Sequence, residues 1–70
     1  MTQKQFAEKL FKRYGITYEE CYGGFKGERN GKHWYIQETA SWDGCYQFST
    51  QDYSANRIKI QTIIKKILAM

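Results

Sequence analysis

The dipeptide Asn30-Gly31 constrains the fold of this chain more than any other feature of its sequence. Asn-Gly favours a type I′ turn, because both central residues of that turn have positive φ, and here it separates two stretches with strand-forming patterns. A two-residue turn also fixes the register, which predicts the cross-strand pairs Arg29–Lys32, Glu28–His33, Gly27–Trp34, Lys26–Tyr35 and Phe25–Ile36. Since side chains alternate along a strand, Phe25, Trp34 and Ile36 share one side of the hairpin, which we call the core face.

A second turn is predicted shortly after residue 40, and two registers compete there. A two-residue loop would put Tyr46 and Phe48 on the polar side of the sheet. A three-residue loop, Trp42-Asp43-Gly44, places Tyr46 opposite Ala40 and Phe48 opposite Glu38, which returns both rings to the core face. We favour the three-residue loop, because a slip of one residue moves every side chain of a strand to the other face.

A helix is predicted to precede this meander. Thr2 and Gln5 fit a capping box, in which each side chain bonds the backbone amide of the other residue. Gly15 is suited to end the helix in a left-handed conformation. The apolar positions between them recur with helical spacing and predict a buried stripe of Phe6, Leu10 and Tyr14 flanked by Ala7 and Phe11.

Residues 17–22, between the first helix and the meander, are ambiguous. Thr17 followed by Glu20 repeats the capping-box pattern and favours a short helix. Tyr18, Cys21 and Tyr22 also suit a strand. We favour the short helix.

After Thr50 the apolar residues recur with helical spacing, which predicts a second long helix. Its apolar face would be formed by Ile60, Ile63, Ile64, Ile67 and Leu68. The start of this helix stays open, because Ser49 with Asp52 and Ser54 alone are both plausible caps, and residues 57–60 alternate as a strand does. Ile58 lies off the apolar face, so it is either a satellite contact of the core or an interface residue.

These elements predict one domain over residues 1–70. Its class is α+β, with a two-layer αβββα order: an N-terminal helix, a three-stranded antiparallel meander over residues 24–50, and a C-terminal helix. Both helices are expected on one sheet face, against Phe25, Trp34 and their neighbours.

The charge balance is basic, with eleven Lys and Arg against seven Asp and Glu, a net charge of +4 and a pI near 9.2. This balance favours anionic partners, although an ordinary solvated surface explains it as well. The first residues lack the apolar region of an export signal, and no run approaches the ~18 residues needed to span a bilayer. We therefore expect a cytoplasmic protein with no membrane partner, in which Cys21 and Cys45 are free thiols.

Catalytic chemistry is not predicted. The single histidine, His33, faces Glu28 across the hairpin, where an ion pair is the ordinary explanation. Cys21, His33 and Cys45 are spaced too widely for a structural zinc site, and no motif indicates another metal or a cofactor. The sequence therefore favours a small, non-catalytic, intracellular binding protein.

Nucleic acid is the first candidate partner. Basic residues gather near the first turn, and the polar face of the sheet carries residue types that contact phosphates and base edges. The predicted binding residues are Lys26, Arg29, Lys32, Tyr35, Gln37 and Gln47. In topology the predicted order is similar to the sheet-reading DNA-binding domains of some integrases and AP2-type factors, and to double-stranded-RNA-binding domains. The lysine cluster that opens the last helix of the latter domains is missing, and the chain carries no family motif.

The alternative function is protein binding. Trp42 at a loop tip, together with Ile58, would act as the aromatic and apolar anchor that dominates many interfaces. The sequence is equally compatible with Trp42 folded back onto the core. An inhibitor or adaptor module, for example of a mobile element or a phage, would fit this description, and a homodimer is a related alternative.

Overall fold

The computed structural model describes residues 2–38 and 45–70. Its elements, in chain order, are α1 Gln3–Arg13, β1 Glu19–Cys21, β2 Gly24–Arg29, β3 Lys32–Glu38, β4 Cys45–Thr50, β5 Ser54–Lys59 and α2 Ile60–Leu68. The strands form one antiparallel sheet in the order β1-β2-β3-β4-β5. The α+β class is thus confirmed, but the three-stranded meander is wrong, because the sheet has five strands.

The first hairpin is confirmed in both its turn and its register. Asn30 and Gly31 have φ angles of 53° and 78°, as a type I′ turn requires. The cross-strand partners of β2 and β3 are those the sequence predicts, from Arg29 with Lys32 to Phe25 with Ile36. Local turn chemistry is therefore sufficient to position these two strands.

The register between β3 and β4 differs from the predicted one by two residues. Tyr46 lies opposite Glu38, and Phe48 lies opposite Ile36. A shift of two residues preserves the face of every side chain, so both rings are on the core face and buried, as expected. It also places Phe48 beside another apolar side chain instead of beside a carboxylate. The proposed loop Trp42-Asp43-Gly44 and its neighbours Thr39, Ala40 and Ser41 lie outside the described residues.

The short helix predicted for residues 17–22 is wrong, because Glu19–Cys21 forms the edge strand β1. In this strand Glu19 forms an ion pair with Lys26 of β2, whereas Glu20, one residue on, forms an ion pair with Lys4 of α1. Only a strand sends neighbouring side chains to opposite faces in this way. A helix of one or two turns would offer few hydrogen bonds to offset its nucleation.

The start of the C-terminal helix also needs correction. Ser54–Lys59 is the edge strand β5, and α2 begins at Ile60, so neither of the proposed caps is used. In the strand Ile58 pairs with Tyr46 and packs against the core, whereas a helix would turn it away. The pairing of β4 with β5 is interrupted by a bulge, next to which Arg57 has a positive φ of 57°.

Both helices cover the same face of the sheet. The capping box at Thr2 is confirmed, and Gly15 ends α1 with a φ of 68°. The buried stripe of α1 consists of Ala7, Leu10 and Phe11. Phe6 and Tyr14, which were predicted to belong to it, are exposed. The single core cluster contains Ala7, Leu10, Phe11, Ile16, Phe25, Trp34, Ile36, Tyr46, Phe48, Ile60, Ile63, Ile64 and Ile67.

Tyr46 joins the core to the start of α1, and it provides a pH-dependent probe of stability. Its hydroxyl donates a hydrogen bond to the backbone oxygen of Gln3, 3.2 Å away. Burial, with a smaller effect of the Glu38 charge, raises the pKa of Tyr46 to about 12. Because the folded-state pKa lies above the ordinary value of about 10, the neutral phenol stabilises the fold below about pH 10, and this contribution is lost as the pH rises toward 12.

We therefore expect Tyr46→Phe to lose less stability than the wild type between about pH 9 and about pH 11.5. Urea unfolding of both proteins at the two pH values measures the difference, and ionisations common to both cancel. An equal alkaline loss in the two proteins would contradict the assignment to Tyr46.

In the part of the chain that the structure describes, the longest helix has 11 residues. None of these helices combines the length and the apolar character that crossing a bilayer requires.

Candidate functional site

The six residues predicted to bind nucleic acid lie on two different faces of the sheet. Lys26 lies on the face opposite the helices, which we call the open face, and so do Tyr35, Gln37 and Gln47. Arg29 is three residues after Lys26, so strand alternation places it and its partner Lys32 on the side of the helices. The structure therefore divides the predicted site.

The open face is polar and shows a shallow cleft of about 510 Å³ beside β1 and β2. Lys26 pairs with Tyr35, whose side chain is half exposed. Gln37, two residues after Tyr35 and on the same face, pairs with Gln47. The cleft is lined by Thr17, Tyr18, Glu19, Lys26, Gly27, Glu28, His33, Trp34 and Tyr35.

Carboxylates stand beside Lys26 and His33 at this cleft. Lys26 Nζ lies 3.9 Å from Glu19 Oε2, and His33 Nε2 lies 3.2 Å from Glu28 Oε2. Two carboxylates at the rim oppose the approach of a phosphate. The part of the open face around this cleft is therefore a hydrogen-bonding surface on which Lys26 already faces a carboxylate.

A different surface collects positive charge that has no ion-pair partner among residues 2–38 and 45–70. It comprises Lys12, Arg13, Arg29, Lys32, Lys65 and Lys66, six of the eleven basic residues, and we call it the basic end. Arg29 and Lys32 flank the turn between β2 and β3. The other four residues belong to the last turns of the two helices.

Two contacts place the last turn of α2 at this turn. The helix starts after Lys59, which pairs with Cys45 at the far end of the sheet, and runs back along the strands. Beyond its last residue, the Met70 backbone oxygen accepts a hydrogen bond from the Asn30 side chain. Lys65 and Lys66 are consequently carried to the same end as Arg29 and Lys32.

Helix α1 runs in the same direction. It begins near Tyr46, whose hydroxyl bonds Gln3, at the far end of the sheet. Its Phe11 ring lies 5.6 Å from the ring of Trp34, two residues after Lys32. Lys12 and Arg13 follow Phe11, so the last turn of α1 also reaches the basic end.

At the basic end, the described part of the chain brings no carboxylate close to the cations. Among the residues described, none of its six cations has a carboxylate oxygen within 4 Å. Asp52 and Glu28 lie toward this end, but neither has a carboxylate oxygen within 4 Å of any of the six cations. The Arg29 Nε atom is buried and lacks a hydrogen-bond partner within residues 2–38 and 45–70.

The far end has the opposite character. There Lys4 forms an ion pair with Glu20, and this hydrogen bond, aided by the charges of Glu20, Glu8 and Glu38, raises the pKa of Lys4. Carboxylates thus surround Lys4 at that end, in contrast to the six cations of the basic end.

The cysteines and the histidine bear on the question of a metal site. Cys21 and Cys45 are free and partly buried. Over residues 2–38 and 45–70, no three His, Cys, Asp or Glu side chains come close enough together to hold a metal ion.

Of the two residues proposed for protein binding, only Ile58 belongs to the residues that the structure describes. Trp42 lies outside the described residues. Ile58 is partly buried and packs against the core cluster, so it is the satellite contact that the sequence left open. Protein binding through these two residues stays a prediction.

Sequence reasoning missed four residues of the basic end, Lys12, Arg13, Lys65 and Lys66. One signal was available, because each helix has two adjacent cations in its last turn. Such pairs also complement the helix dipole, so they do not by themselves indicate a site. The strand β5, which sets the direction of α2, and the contacts of α1 with Tyr46 and Trp34 show that both helices end on the same side.

No protein-family model matches the chain, and searches of the curated proteins and of the solved structures found no match. The function must therefore be inferred from the chain's own geometry. Of its surfaces, the basic end differs most in charge from the rest of the molecule.

Proposed function

We propose that this chain is a non-catalytic nucleic-acid-binding protein that contacts the phosphate backbone through the basic end. The observation that carries the proposal is the convergence of six cations, from two helices and a hairpin, with no carboxylate pairing among the described residues. Clustered Lys and Arg neutralise successive phosphates and release counterions, which supplies most of the affinity in backbone binding.

The lysines of the two surfaces differ in whether a carboxylate already pairs with them. On the open face, Lys26 is already paired with Glu19. At the basic end, Lys32 and Lys65 are exposed, and each has no carboxylate neighbour among the described residues. A phosphate approaching Lys32 or Lys65 displaces no existing ion pair, so these residues gain more from the contact than Lys26 does.

Titration of fluorescein-labelled DNA and RNA of about 20 nucleotides tests the proposal. We expect binding at about 50 mM NaCl that weakens steeply toward about 200 mM, because phosphate neutralisation makes log Kd linear in log salt. The double variant Lys32→Gln/Lys65→Gln should bind more weakly and reduce the salt slope by about one for each phosphate contact removed.

The matched control is Lys26→Gln/Lys59→Gln. It removes the same charge from two exposed lysines of the open face, since Lys59 pairs with Cys45 on that side. We expect the control to keep nearly the wild-type salt slope. No binding of any labelled strand at low salt would refute nucleic-acid binding, whereas a loss confined to the control would move the site to the open face.

A further inference from the structure

Two tyrosine rings stand within the basic end. Tyr14 follows Arg13 directly as the C-cap of α1. Tyr53 lies in the turn between β4 and β5, at the same end of the sheet as the β2–β3 turn that Lys32 flanks. Their exposed fractions are 47% and 43%. Tyrosine is commonly of intermediate burial, so what sets these two rings apart is their position among the cations of the basic end.

Each ring has a cation close to its face. Lys66 Nζ lies 4.7 Å from the centroid of Tyr53, and Arg13 Cζ lies 5.8 Å from the centroid of Tyr14. A nucleotide presents a flat base and a phosphate on the same sugar. A ring beside a long, flexible cation can therefore stack against the base while the cation reaches the phosphate.

The basic end is too broad to enter the major groove of a duplex. Five strands at about 4.8 Å spacing make the sheet about 19 Å wide, more than the ~12 Å width of the major groove. The hairpin turn does not project alone either, because the Asn30 side chain is bonded to Met70 at the end of α2. In a duplex, moreover, the faces of the bases are covered by their neighbours.

We infer that the basic end binds single-stranded nucleic acid, with unpaired bases stacked on Tyr14 and Tyr53 and with phosphates held by the surrounding cations. This inference rests on the proposed function and names its substrate class. Sequence preference is expected to be weak, since every base has a stacking face and no base-edge reader is required.

The test compares a fluorescein-labelled oligo-dT of about 20 nucleotides with a duplex of equal length. We expect the wild type to bind the single strand about tenfold more tightly than the duplex at equal salt. Tyr14→Leu/Tyr53→Leu should weaken single-strand binding about tenfold or more and should leave the salt slope nearly unchanged, because no cation is removed. Duplex binding should change little.

Three further variants separate stacking from structural damage. Tyr14→Phe/Tyr53→Phe keeps both rings and should retain the affinity of the wild type. Tyr35→Leu removes a ring of similar exposure, 50%, from the open face and should have no effect. If the double Leu variant unfolds, Tyr14→Leu alone still tests stacking, because the Tyr14 ring has Arg13 as its close partner and lies outside the core cluster.

The outcomes separate this inference from the function beneath it. Equal binding of duplex and single strand, with no effect of the Leu variants but a loss in Lys32→Gln/Lys65→Gln, would overturn single-strand stacking and leave backbone binding in place. No binding of either probe at low salt would overturn both. Preferential single-strand binding that depends on the two rings supports both.

Discussion

Replacing Phe11 by alanine is expected to destabilise the protein by about 3–5 kcal/mol, close to its whole stability. The Phe11 side chain is fully buried, and its ring lies 4.9 Å from Tyr18, 5.3 Å from Phe25 and 5.6 Å from Trp34, measured between centroids. Removing the ring would leave a cavity in α1 beside three aromatic neighbours, which belong to β2, β3 and the segment leading to β1. Urea unfolding followed by tryptophan fluorescence measures the loss.

Phe6→Ala is the matched control for this prediction, because it makes the same change on the same helix. The Phe6 side chain is 37% exposed, so we expect a cost below about 1 kcal/mol. Comparable losses in the two variants would contradict the assignment of Phe11, and not Phe6, to the centre of the helix–sheet contact.

The second large effect is expected from a single methyl group at Gly24. A Cβ at this position would lie 1.9 Å from the backbone oxygen of Ile36 and 2.8 Å from its carbonyl carbon. These atoms belong to the neighbouring strand β3 and cannot rotate away, so the β2–β3 pair must open. We expect Gly24→Ala to cost roughly 3 kcal/mol, at the upper end of overpacking effects, and thermal unfolding measures it.

Gly23→Ala provides the comparison for Gly24. A Cβ at Gly23 would meet no atom within 4 Å, but its φ of +80° is strained for a residue with a side chain. We expect a cost of roughly 1 kcal/mol from backbone strain alone. A Gly24→Ala variant as stable as Gly23→Ala would show that the strands tolerate the added methyl.

The parts of the fold that were predictable depend on local chemistry. The Asn30-Gly31 turn sets both a backbone conformation and a register, and the capping box of Thr2 sets the start of α1. Alternation also placed Tyr46 and Phe48 on the correct face, although their register was two residues off. The face of these side chains is determined by burial of the rings, whereas the sequence signals for the register between β3 and β4 are weaker.

The two edge strands were not predictable, because their sequences are compatible with helix and with strand. Residues 19–21 and 54–59 become strands by pairing with edges that the central strands leave open, which is a tertiary effect. This error had a consequence for the site. Without β5, α2 would start at the turn end and run away from it, so Lys65 and Lys66 would lie at the far end of the sheet.

The hydrogen bond from Asn30 to the Met70 backbone oxygen bears on how the protein should be attached to a sensor surface. A linker or dye following residue 70 would emerge beside Arg29 and Lys32 and would obstruct an incoming strand. Attachment ahead of Thr2, next to Lys4 and Glu20, leaves that approach clear. Because both helices run toward the basic end, the protein should be immobilised through the start of α1 and not through the end of α2.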